Sequence, residues 1–375
     1  MKKYFLLAAM VGVALTGCVS NEPDLSGGGE KEITFSTPVV GASTRAQVYG
    51  ELGNGDLAYP AEELFNVYAV WHQNDFSGWN NGSLYMDDVQ TKFDDTFNGW
   101  RAQTRYYWPH NGGKLTFAAY SPSGLTGVTY GTTGFTFVGY NTGVNTGYVD
   151  VLYSDRSYNK TASSANSNTP YAGVDIDFKH ALSSIQFTAK KADSYGDSDA
   201  NTTNITITKI SVYGVYNQAD FNENIDETAP ATYSATPAWT SHTNYGTLTG
   251  EDSPHIYYNG SLLLDANKKV MNGIDNQVDL ILMPQTLPAS AAVKIEYTID
   301  SPGENTPAIP QTHIVMLNDT SNNNTAITTE WKPGKRYTYN ITIGLTEIYF
   351  SPEIAEWDDN IDDTEGADEV TIPQV

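Results

Sequence analysis

The sequence predicts an all-β protein built from antiparallel sandwiches, and three observations support this. Apolar and polar side chains alternate in many short runs, and the strongest run is Tyr337, Tyr339, Ile341, Ile343 and Leu345. Asn-Gly pairs supply the positive φ that tight hairpins need, and they occur at 54–55, 81–82, 98–99, 111–112, 259–260 and 272–273. No helix-period segment exceeds about three turns, which leaves room only for short helices near 61–63 or 87–89.

The N-terminus carries an export signal. Lys2 and Lys3 precede the apolar run 5–15, which is shorter than the roughly 20 residues that span a membrane. The stretch Leu15-Thr16-Gly17-Cys18 resembles the lipobox of bacterial lipoproteins, in which the cysteine is acylated after cleavage. We therefore expect a lipoprotein signal peptide at 1–17, lipidation of Cys18 and anchoring in the outer membrane. The alternative is an ordinary secretory signal that contains a cysteine by chance.

Composition excludes several functional classes. Cys18 is the only cysteine, so its lipidation leaves none for a disulfide, a thiolate zinc site or a cysteine nucleophile. The precursor has a net charge of −24, and removal of Lys2 and Lys3 leaves 18 basic and 44 acidic residues, or −26. This charge repels nucleic acid phosphates, and it suits a soluble surface outside the cytoplasm.

Strand patterns follow one another from residue 32 onward. Residues 18–31 lack apolar periodicity and are expected to form a flexible tether. The residues expected to share the core face of a strand are Ile33 and Phe35; Phe65, Val67, Ala69 and Trp71; Leu115, Phe117 and Ala119; Ile185, Phe187 and Ala189; Ile205 and Ile207; and Val293, Ile295, Tyr297 and Ile299. Each strand should place one face on a core and the other in water.

The chain is long enough for two domains of typical size. The Ser/Asn/Thr-rich stretch 160–170 predicts a loop, and alternation restarts at Val174. We therefore expect an N-terminal sandwich at 32–172 and a C-terminal sandwich at 173–357. Residues 353–375 hold nine acids and no base, so 358–375 should form a solvated acidic tail, within which only 370–372 alternate.

The sequence contains no recognisable catalytic, metal or cofactor motif. The six histidines show neither His-Glu-x-x-His nor metal-ligand spacing, and Gly-x-Ser-x-Gly is absent. The acidic tail matches several positions of a calcium loop, but Asp363 stands where the sharp turn needs glycine. We expect no enzyme, no metal and no cofactor, and we expect a structural hydrogen-bonding role for His180.

Four ordered stretches carry a family resemblance. They are Ile33-Thr34-Phe35 with Ser43-Thr44-Arg45-Ala46; Tyr106-Tyr107-Trp108-Pro109 with 115–122; 178–185, Phe-Lys-His-Ala-Leu-Ser-Ser-Ile; and 280–285, Leu-Ile-Leu-Met-Pro-Gln, with 331–339. Together with the lipobox they resemble the fimbrillin (Mfa-like) family, the subunits of type V pili, which are made as lipoproteins. The resemblance implies two transthyretin-like β-sandwich domains in tandem.

The resemblance also implies a mechanism of assembly. An Arg-specific protease would cleave Arg45–Ala46 and release the first strand, 32–45, whose plug residues are Ile33 and Phe35. A strand from another pilus subunit, supplied by its C-terminus, would then fill the groove by β-augmentation. The protein would lie at the surface of the outer membrane and in the fimbrium, and it would support adhesion to a host or bacterial receptor. The competing interpretation of Arg45 is a solvated loop arginine.

A second function competes with the first. A monomeric surface lipoprotein could hold glycan on exposed aromatic rings, for which the sequence offers Trp71, Trp79, Trp100, Trp108 and Trp239. The alternative role for these residues is core packing, which we favour for Trp71 and Trp108.

Overall fold

The computed structural model describes residues 31–40, 50–51, 57–142, 149–163, 173–192, 203–228, 234–245, 254–267, 269–271, 279–300, 307–318, 329–344, 347–357 and 371–373. Within these ranges the regular elements are β-strands and one short 3₁₀ helix, Trp79–Asn81, so the all-β prediction is confirmed. Over the same ranges, no helix combines the length and apolar character needed to cross a membrane.

The strands up to residue 180 are β1 (Thr34–Phe35), β2 (Val39–Val40), β3 (Gly50–Glu51), β4 (Leu57–Ala58), β5 (Phe65–His72), β6 (Ser83–Asp94), β7 (Gly99–Ala102), β8 (Lys114–Ser121), β9 (Val128–Gly131), β10 (Gly134–Asn141), β11 (Leu152–Ser154), β12 (Ser157–Lys160) and β13 (Asp177–His180). Those that follow are β14 (Ser183–Lys191), β15 (Asn204–Tyr213), β16 (Tyr216–Asn222), β17 (Ala238–Tyr245), β18 (His255–Leu263), β19 (Lys269–Val270), β20 (Leu280–Leu282), β21 (Gln285–Thr286), β22 (Ala292–Asp300), β23 (Ile309–Met316), β24 (Glu330–Trp331), β25 (Lys335–Ile343), β26 (Glu347–Glu356) and β27 (Thr371–Pro373).

The largest sheet, sheet I, encloses the N-terminal core. Its strand order is β1-β7-β6-β5-β8-β11-β13-β2-β4-β3, with β12 beside β8. Phe35 also bridges in parallel to Val174, just before β13, so the sheet returns on itself. The N-terminal core consists of Ile33, Phe35, Val40, Tyr59, Phe65, Val67, Ala69, Met86, Trp100, Ala102, Trp108, Leu115, Phe117, Ala119, Leu152, Val174, Ile176 and Phe178.

Two other sheets form a sandwich around the C-terminal core. Sheet III runs β19-β14-β25-β26-β27, with β20 also on β14, and sheet IV runs β18-β15-β22-β23. Strands β14 and β25 lie parallel over eight residue pairs, and the long β26 continues the sheet in antiparallel fashion. The predicted alternation is confirmed here, because Tyr337, Tyr339, Ile341 and Ile343 all lie in this core. Leu345, predicted with them, lies outside the described residues.

The expectation that each strand has one solvent-exposed face is wrong for the strands that are covered by a third layer. Sheet II, in the order β17-β16-β10-β9, packs on the outer side of sheet I. As a result β5 sends Phe65 and Val67 into the N-terminal core, and it sends Tyr68 and Val70 into a junction core. The junction core also contains Ala118 and Tyr120 of β8, Phe135 and Phe137 of β10, Phe221, Trp239, Leu182, Ile281 and Trp357.

The sheets do not follow the predicted division at residues 172/173. Val174, Ile176 and Phe178 belong to the N-terminal core. Sheet II joins β9 and β10 to β16 and β17 through direct pairing of β10 with β16, so strands from both sides of the predicted boundary share one sheet. Residues 164–170 of the predicted loop lie outside the described residues, and Lys160 belongs to β12. Composition carries no information about which distant strands pair.

The Asn-Gly pairs have mixed outcomes. Asn98 has φ 56° in the turn between β6 and β7, and Gly112 has φ 76° in the turn before β8, so both turns are confirmed. Asn259-Gly260 instead lies inside β18, where the register with β15 shifts. The short helix expected near 87–89 is wrong, because these residues belong to β6 and Asp88 has φ 53° at a bulge opposite β5. The pairs at 54–55 and 272–273 lie outside the described residues.

Candidate functional site

The N-terminal segment, residues 31–40, fills a slot in sheet I, and it is hydrogen-bonded on both sides. The slot lies between β7 with residues 106–108 on one side and residues 174–178 on the other. On one side β1 is antiparallel to β7, with Thr34 opposite Arg101. The amide of Ile33 donates to the carbonyl of Tyr106 (2.8 Å), and the amide of Trp108 donates to the carbonyl of Lys31 (3.0 Å). The segment is therefore an interior strand of the sheet although it is built from the first described residues.

The opposite side of the segment lies along residues 174–178. The amide of Ser36 donates to the carbonyl of Val174 (3.0 Å), and the amide of Val174 donates to the carbonyl of Thr34 (2.8 Å). Further along, the amide of Val39 donates to the carbonyl of Ile176 (3.1 Å), and β2 pairs in parallel with β13. Strand β4 lies antiparallel to β2, so this part of the segment is also paired.

The side chains of the segment complete the N-terminal core. Ile33 and Phe35 are each 1% exposed, and Val40 is fully buried. The ring of Phe35 makes edge contacts with Phe65 and Phe117, with centroid distances of 5.9 and 6.0 Å. Full burial of one large apolar side chain stabilises a fold by about 1.5–3 kcal/mol, so the three together contribute roughly 5–9 kcal/mol as an upper estimate.

Because residue 173 is glycine, the N-terminal segment can lie directly against the backbone at this position. A Cβ on Gly173 would lie 2.4 Å from the carbonyl carbon of Phe35 and 2.6 Å from the amide nitrogen of Ser36. Because both neighbours are backbone atoms, they cannot move aside as a side chain can. Gly173 therefore sets how closely residues 35–36 lie against 173–174.

One end of the slot is charged. The Glu32 carboxylate lies 3.6 Å from Arg101 Nη1 and 3.9 Å from Arg105 Nε. Arg101 is held by Asp94, to which its Nη2 donates at 2.6 Å. The Phe97 amide and the Arg101 guanidinium together hold the pKa of Asp94 below its usual range. The arginine is thus fixed in place independently of Glu32.

The structure places some predicted residues in this site and leaves others untested. Ile33 and Phe35 lie in the slot with buried side chains, and their role as plug residues stays a prediction. Cys18, Arg45 and Ala46 lie outside the described residues, so lipidation and cleavage stay predictions. Of the acidic tail, only 371–373 are described, as β27, which pairs antiparallel with β26.

The tryptophans proposed as glycan platforms are mostly inside the protein. Trp100 and Trp108 lie in the N-terminal core, and Trp79 and Trp239 lie in the junction core. The side chain of Trp239 also donates its ring N–H to the carbonyl of Ala181 at 2.6 Å. Trp71 is partly buried against the N-terminal core and donates to the Gly112 carbonyl. The hypothesis of exposed stacking rings is therefore wrong for Trp79, Trp100 and Trp239, since a buried ring cannot meet a sugar, and the core packing favoured for Trp108 is confirmed.

The predicted structural role of His180 is confirmed. Its Nδ1 lies 2.7 Å from an Asp150 oxygen, and its ring stacks on Trp357 at 4.1 Å with an interplanar angle of 18°. These contacts join β13 to the end of β26 at the junction core. In the described parts of the chain, no group of three histidine, cysteine or acidic residues is arranged to hold a metal ion.

Sequence reasoning missed a buried arginine that ties sheet II to sheet I. The Arg156 side chain is fully buried and contacts Glu227 at 2.5 Å and the Tyr130 hydroxyl at 2.7 Å. Glu227 in turn accepts the Trp79 amide. An isolated arginine after β11 gave no local signal of this role, because its partners lie 26 and 71 residues away.

Comparisons with known proteins give a family match and a shared fold. A family model described as fimbrillin-like matches residues 44–357. The crystal structure of a fimbrial protein from Bacteroides vulgatus matches with a TM-score of 0.55 and 16% identity, covering 88% of this chain and 100% of that one. This likeness establishes the shared fold.

Two further solved structures match less closely. One, a candidate cell adhesion protein from Bacteroides uniformis, has a TM-score of 0.47 and 17% identity, and the match covers 87% of this chain and 99% of that one. The other, a fimbrial assembly protein from Parabacteroides distasonis, has a TM-score of 0.33 and 12% identity, covering 87% and 98%. A comparison with curated proteins gave no match.

Proposed function

The chain belongs to the fimbrillin-like family, and on that premise we propose that it is a structural fimbrial subunit that polymerises by exchange of its first strand. The single observation that carries the proposal is the N-terminal segment, which is an interior strand of sheet I and is built from the first residues that the structure describes. The family match begins at residue 44, so the segment lies outside the matched range.

Loss of the segment would leave two kinds of unsatisfied surface. The apolar floor made by Phe65 and Phe117 would lose the ring of Phe35. Backbone groups on both sides would lose their partners, among them the amides of Trp108 and Val174. Unpaired strand edges and exposed apolar grooves both favour the addition of another strand. A strand from a second subunit supplies both kinds of contact.

The proposed trigger is cleavage at Arg45–Ala46 by an Arg-specific protease. The bond follows β2 by only a few residues, so a cut there separates the whole segment from the body of the protein. Cys18 lies on the released side. The lipid then delivers the precursor to the outer membrane and leaves with the strand, whereas an uncut copy stays anchored.

The test is controlled cleavage of the purified precursor. We expect an Arg-specific protease to remove residues up to Arg45 and to yield SDS-resistant ladders, because an added strand is held by a hydrogen-bonded ladder and a buried core. The matched control is Arg45→Gln, which should resist this cut and remain monomeric. A product that begins at Ala46, has lost the segment and stays monomeric would contradict strand exchange.

A further inference from the structure

The arginines of this chain differ in how well a protease can reach them. There are five, and Arg45 is the one in the proposed cleavage bond. The side chains of Arg156 and Arg336 are 0% and 5% exposed, so a protease that must bind an arginine side chain cannot take them from the folded protein. Arg105 is 56% exposed, the highest value among the four arginines that the structure describes.

Arg101 is less accessible than Arg105 because it lies inside a strand. It belongs to β7, where it pairs with Lys92 of β6, and its guanidinium donates to Asp94 at 2.6 Å. Both ties come from β6, so they remain when the N-terminal segment leaves. Arg105 instead lies beyond the end of β7, in the connection to β8. Local opening can therefore expose the bond after Arg105, whereas the bond after Arg101 requires the loss of β7 from the sheet.

In the intact precursor the N-terminal segment is paired with the residues that follow Arg105. The amide of Ile33 donates to the carbonyl of Tyr106 at 2.8 Å, and the amide of Trp108 donates to the carbonyl of Lys31 at 3.0 Å. A protease binds its substrate as an extended strand through backbone hydrogen bonds. These pairings therefore compete directly with the binding of this stretch in a protease cleft.

Release of the segment loosens the stretch after Arg105. It removes both of these hydrogen bonds and the antiparallel bridge between Glu32 and Tyr107. It also removes the Glu32 carboxylate, which lies 3.9 Å from Arg105 Nε. Tyr107 keeps the hydrogen bond that its carbonyl accepts from the Tyr85 hydroxyl. A stretch with fewer ties opens more often, and cleavage follows the population of the opened form.

We propose that Arg105–Tyr106 is a second cleavage site for the Arg-specific protease, covered by residues 31–33 in the precursor and opened when the segment leaves. Hydrolysis breaks the amide bond between the Arg105 carbonyl carbon and the Tyr106 nitrogen. Water adds its hydroxyl to the new carboxyl group and a proton to the new amine. This inference rests on the proposed strand exchange and adds a regulation of the same slot.

The second cut acts on subunits whose slot is empty. It breaks the chain between β7 and β8, so β5 stays attached to β8 by pairing and no longer by the covalent chain that joins them. A strand that refills the slot restores the pairing of residues 106–108 and covers the bond again. One protease therefore starts assembly by its first cut and removes subunits that fail to assemble by its second.

The first test separates the second site from the first cut. In Arg45→Gln the segment stays attached, and fragments that begin at Tyr106 should appear slowly. Adding Phe35→Ala weakens the attachment of the segment, so these fragments should appear at least about tenfold faster. The matched control adds Phe350→Ala, which truncates a buried ring of the C-terminal core, and its rate should stay within about twofold of Arg45→Gln. Equal rates with and without Phe35→Ala would overturn the proposal.

The positions of the cuts show whether the opening is local. Fragments from Tyr106 with an intact bond after Arg156 indicate release of the segment alone. If Phe35→Ala also exposes Arg156, Gly173→Ala in the Arg45→Gln background gives a milder opening. It should accelerate the Tyr106 fragments at least about threefold relative to Gly131→Ala. Equal rates in this pair would likewise overturn the proposal.

The second test follows the wild-type precursor during digestion, with N-terminal sequencing of the products. We expect Ala46 as the first new N-terminus and Tyr106 as the second. Ladders should resist the second cut at least about tenfold better than unassembled product, because their slots are filled. In Arg105→Lys, which keeps the positive charge beside Glu32, the unassembled product should persist with Ala46 at its N-terminus. Formation of Tyr106 termini from uncut precursor as fast as from cut protein would contradict the proposed covering.

Failure of this inference can be told apart from failure of strand exchange. If ladders form and unassembled product is never cut after Arg105, the second site is wrong and strand exchange stands. If Phe35→Ala accelerates the cut in Arg45→Gln but wild type never forms ladders, the second site stands and polymerisation is wrong. If neither result is obtained, both are wrong.

Discussion

The N-terminal and C-terminal cores are equally well buried, but the strands that cover them differ in length. The C-terminal core is covered by β14, β25 and β26, which are nine, nine and ten residues long and are paired along most of their length. The N-terminal core is completed by β1 and β2, which are two residues each. Ile33 and Phe35 are nonetheless as buried as Tyr339 and Phe350.

The difference shows that the burial of a strand's side chains does not determine how many backbone hydrogen bonds hold that strand in its sheet. Removing β25 would destroy the centre of sheet III. Removing the N-terminal segment instead breaks a short set of hydrogen bonds, leaves sheet I paired from β7 to β13, and separates only the β3–β4 pair from it. Regions with few hydrogen bonds to the body open first, at a fraction of the global unfolding free energy. Under the proposed strand exchange, the C-terminal sandwich stays closed while the N-terminal sandwich loses and regains its closing strand.

The strongest way to test this contrast is to truncate one ring in each core. Phe35→Ala should lower the free energy that holds the N-terminal segment by about 3–5 kcal/mol, because the ring is fully buried. Faster amide hydrogen exchange at Ser36 and Val39 would report it. Phe350→Ala should cost a similar amount in urea unfolding of the C-terminal sandwich and leave exchange in the segment unchanged. Unchanged exchange at Ser36 in Phe35→Ala would contradict the contrast.

Acidification should weaken the C-terminal sandwich through a buried histidine. Burial lowers the pKa of His255 to about 4, and it also lowers the pKa of His313 in the same sheet. Between about pH 6.5 and pH 4 the unfolded chain binds a proton that folded His255 does not, so stability falls as pH falls through this window. Between pH 7.5 and 4.5, urea unfolding of wild type should lose about 2–3 kcal/mol more than unfolding of His255→Gln.

The carboxylates titrate alike in both proteins. Their contribution to the pH dependence of the unfolding free energy therefore cancels when wild type is compared with His255→Gln. Opening of the N-terminal segment, followed by exchange at Val39, should show the same pH dependence in both. If the two proteins lose equal stability on acidification, the buried neutral state of His255 is not what limits this sandwich.

The smallest expected effect comes from the close approach at position 173. Gly173→Ala should push the segment outward and weaken its attachment by about 1–3 kcal/mol, because an added Cβ meets backbone atoms. We expect faster release of the segment once the protease has cut. Gly131→Ala is the matched control, since a Cβ there meets nothing within 4 Å. Equal release rates in the two variants would show that Gly173 does not set the approach.

Local pattern predicted much of the fold but not its layering. The alternation of Phe65, Val67 and Ala69 identified one face of β5, since period 2 is a property of neighbouring residues. It did not reveal that Tyr68 is buried as well, because that depends on sheet II, whose Tyr130 and Phe135 pack on the Tyr68 ring from more than 60 residues away along the chain. A strand buried on both faces lacks the polar side that marks an ordinary antiparallel strand.

The candidate site was predictable in part for the same reason. Ile33 and Phe35 carry their own pattern, and the family resemblance gave them a role. Glu32 and Arg101 become meaningful only when β1 lies beside β7, which brings together residues 69 positions apart. Likewise, the burial of Trp100 and Trp108 follows from the closure of sheet I, and composition alone could not separate it from exposed stacking.

Hydrogen exchange at the slot tests the central claim most directly. The amides of Trp108 and Val174 belong to the body of the protein and donate to Lys31 and Thr34 of the segment. We expect both amides to be protected in the precursor, exposed just after cleavage at Arg45, and protected again once ladders have formed. Ladders in which these two amides stay exposed would contradict the account, because the subunits would then be joined without filling the slot.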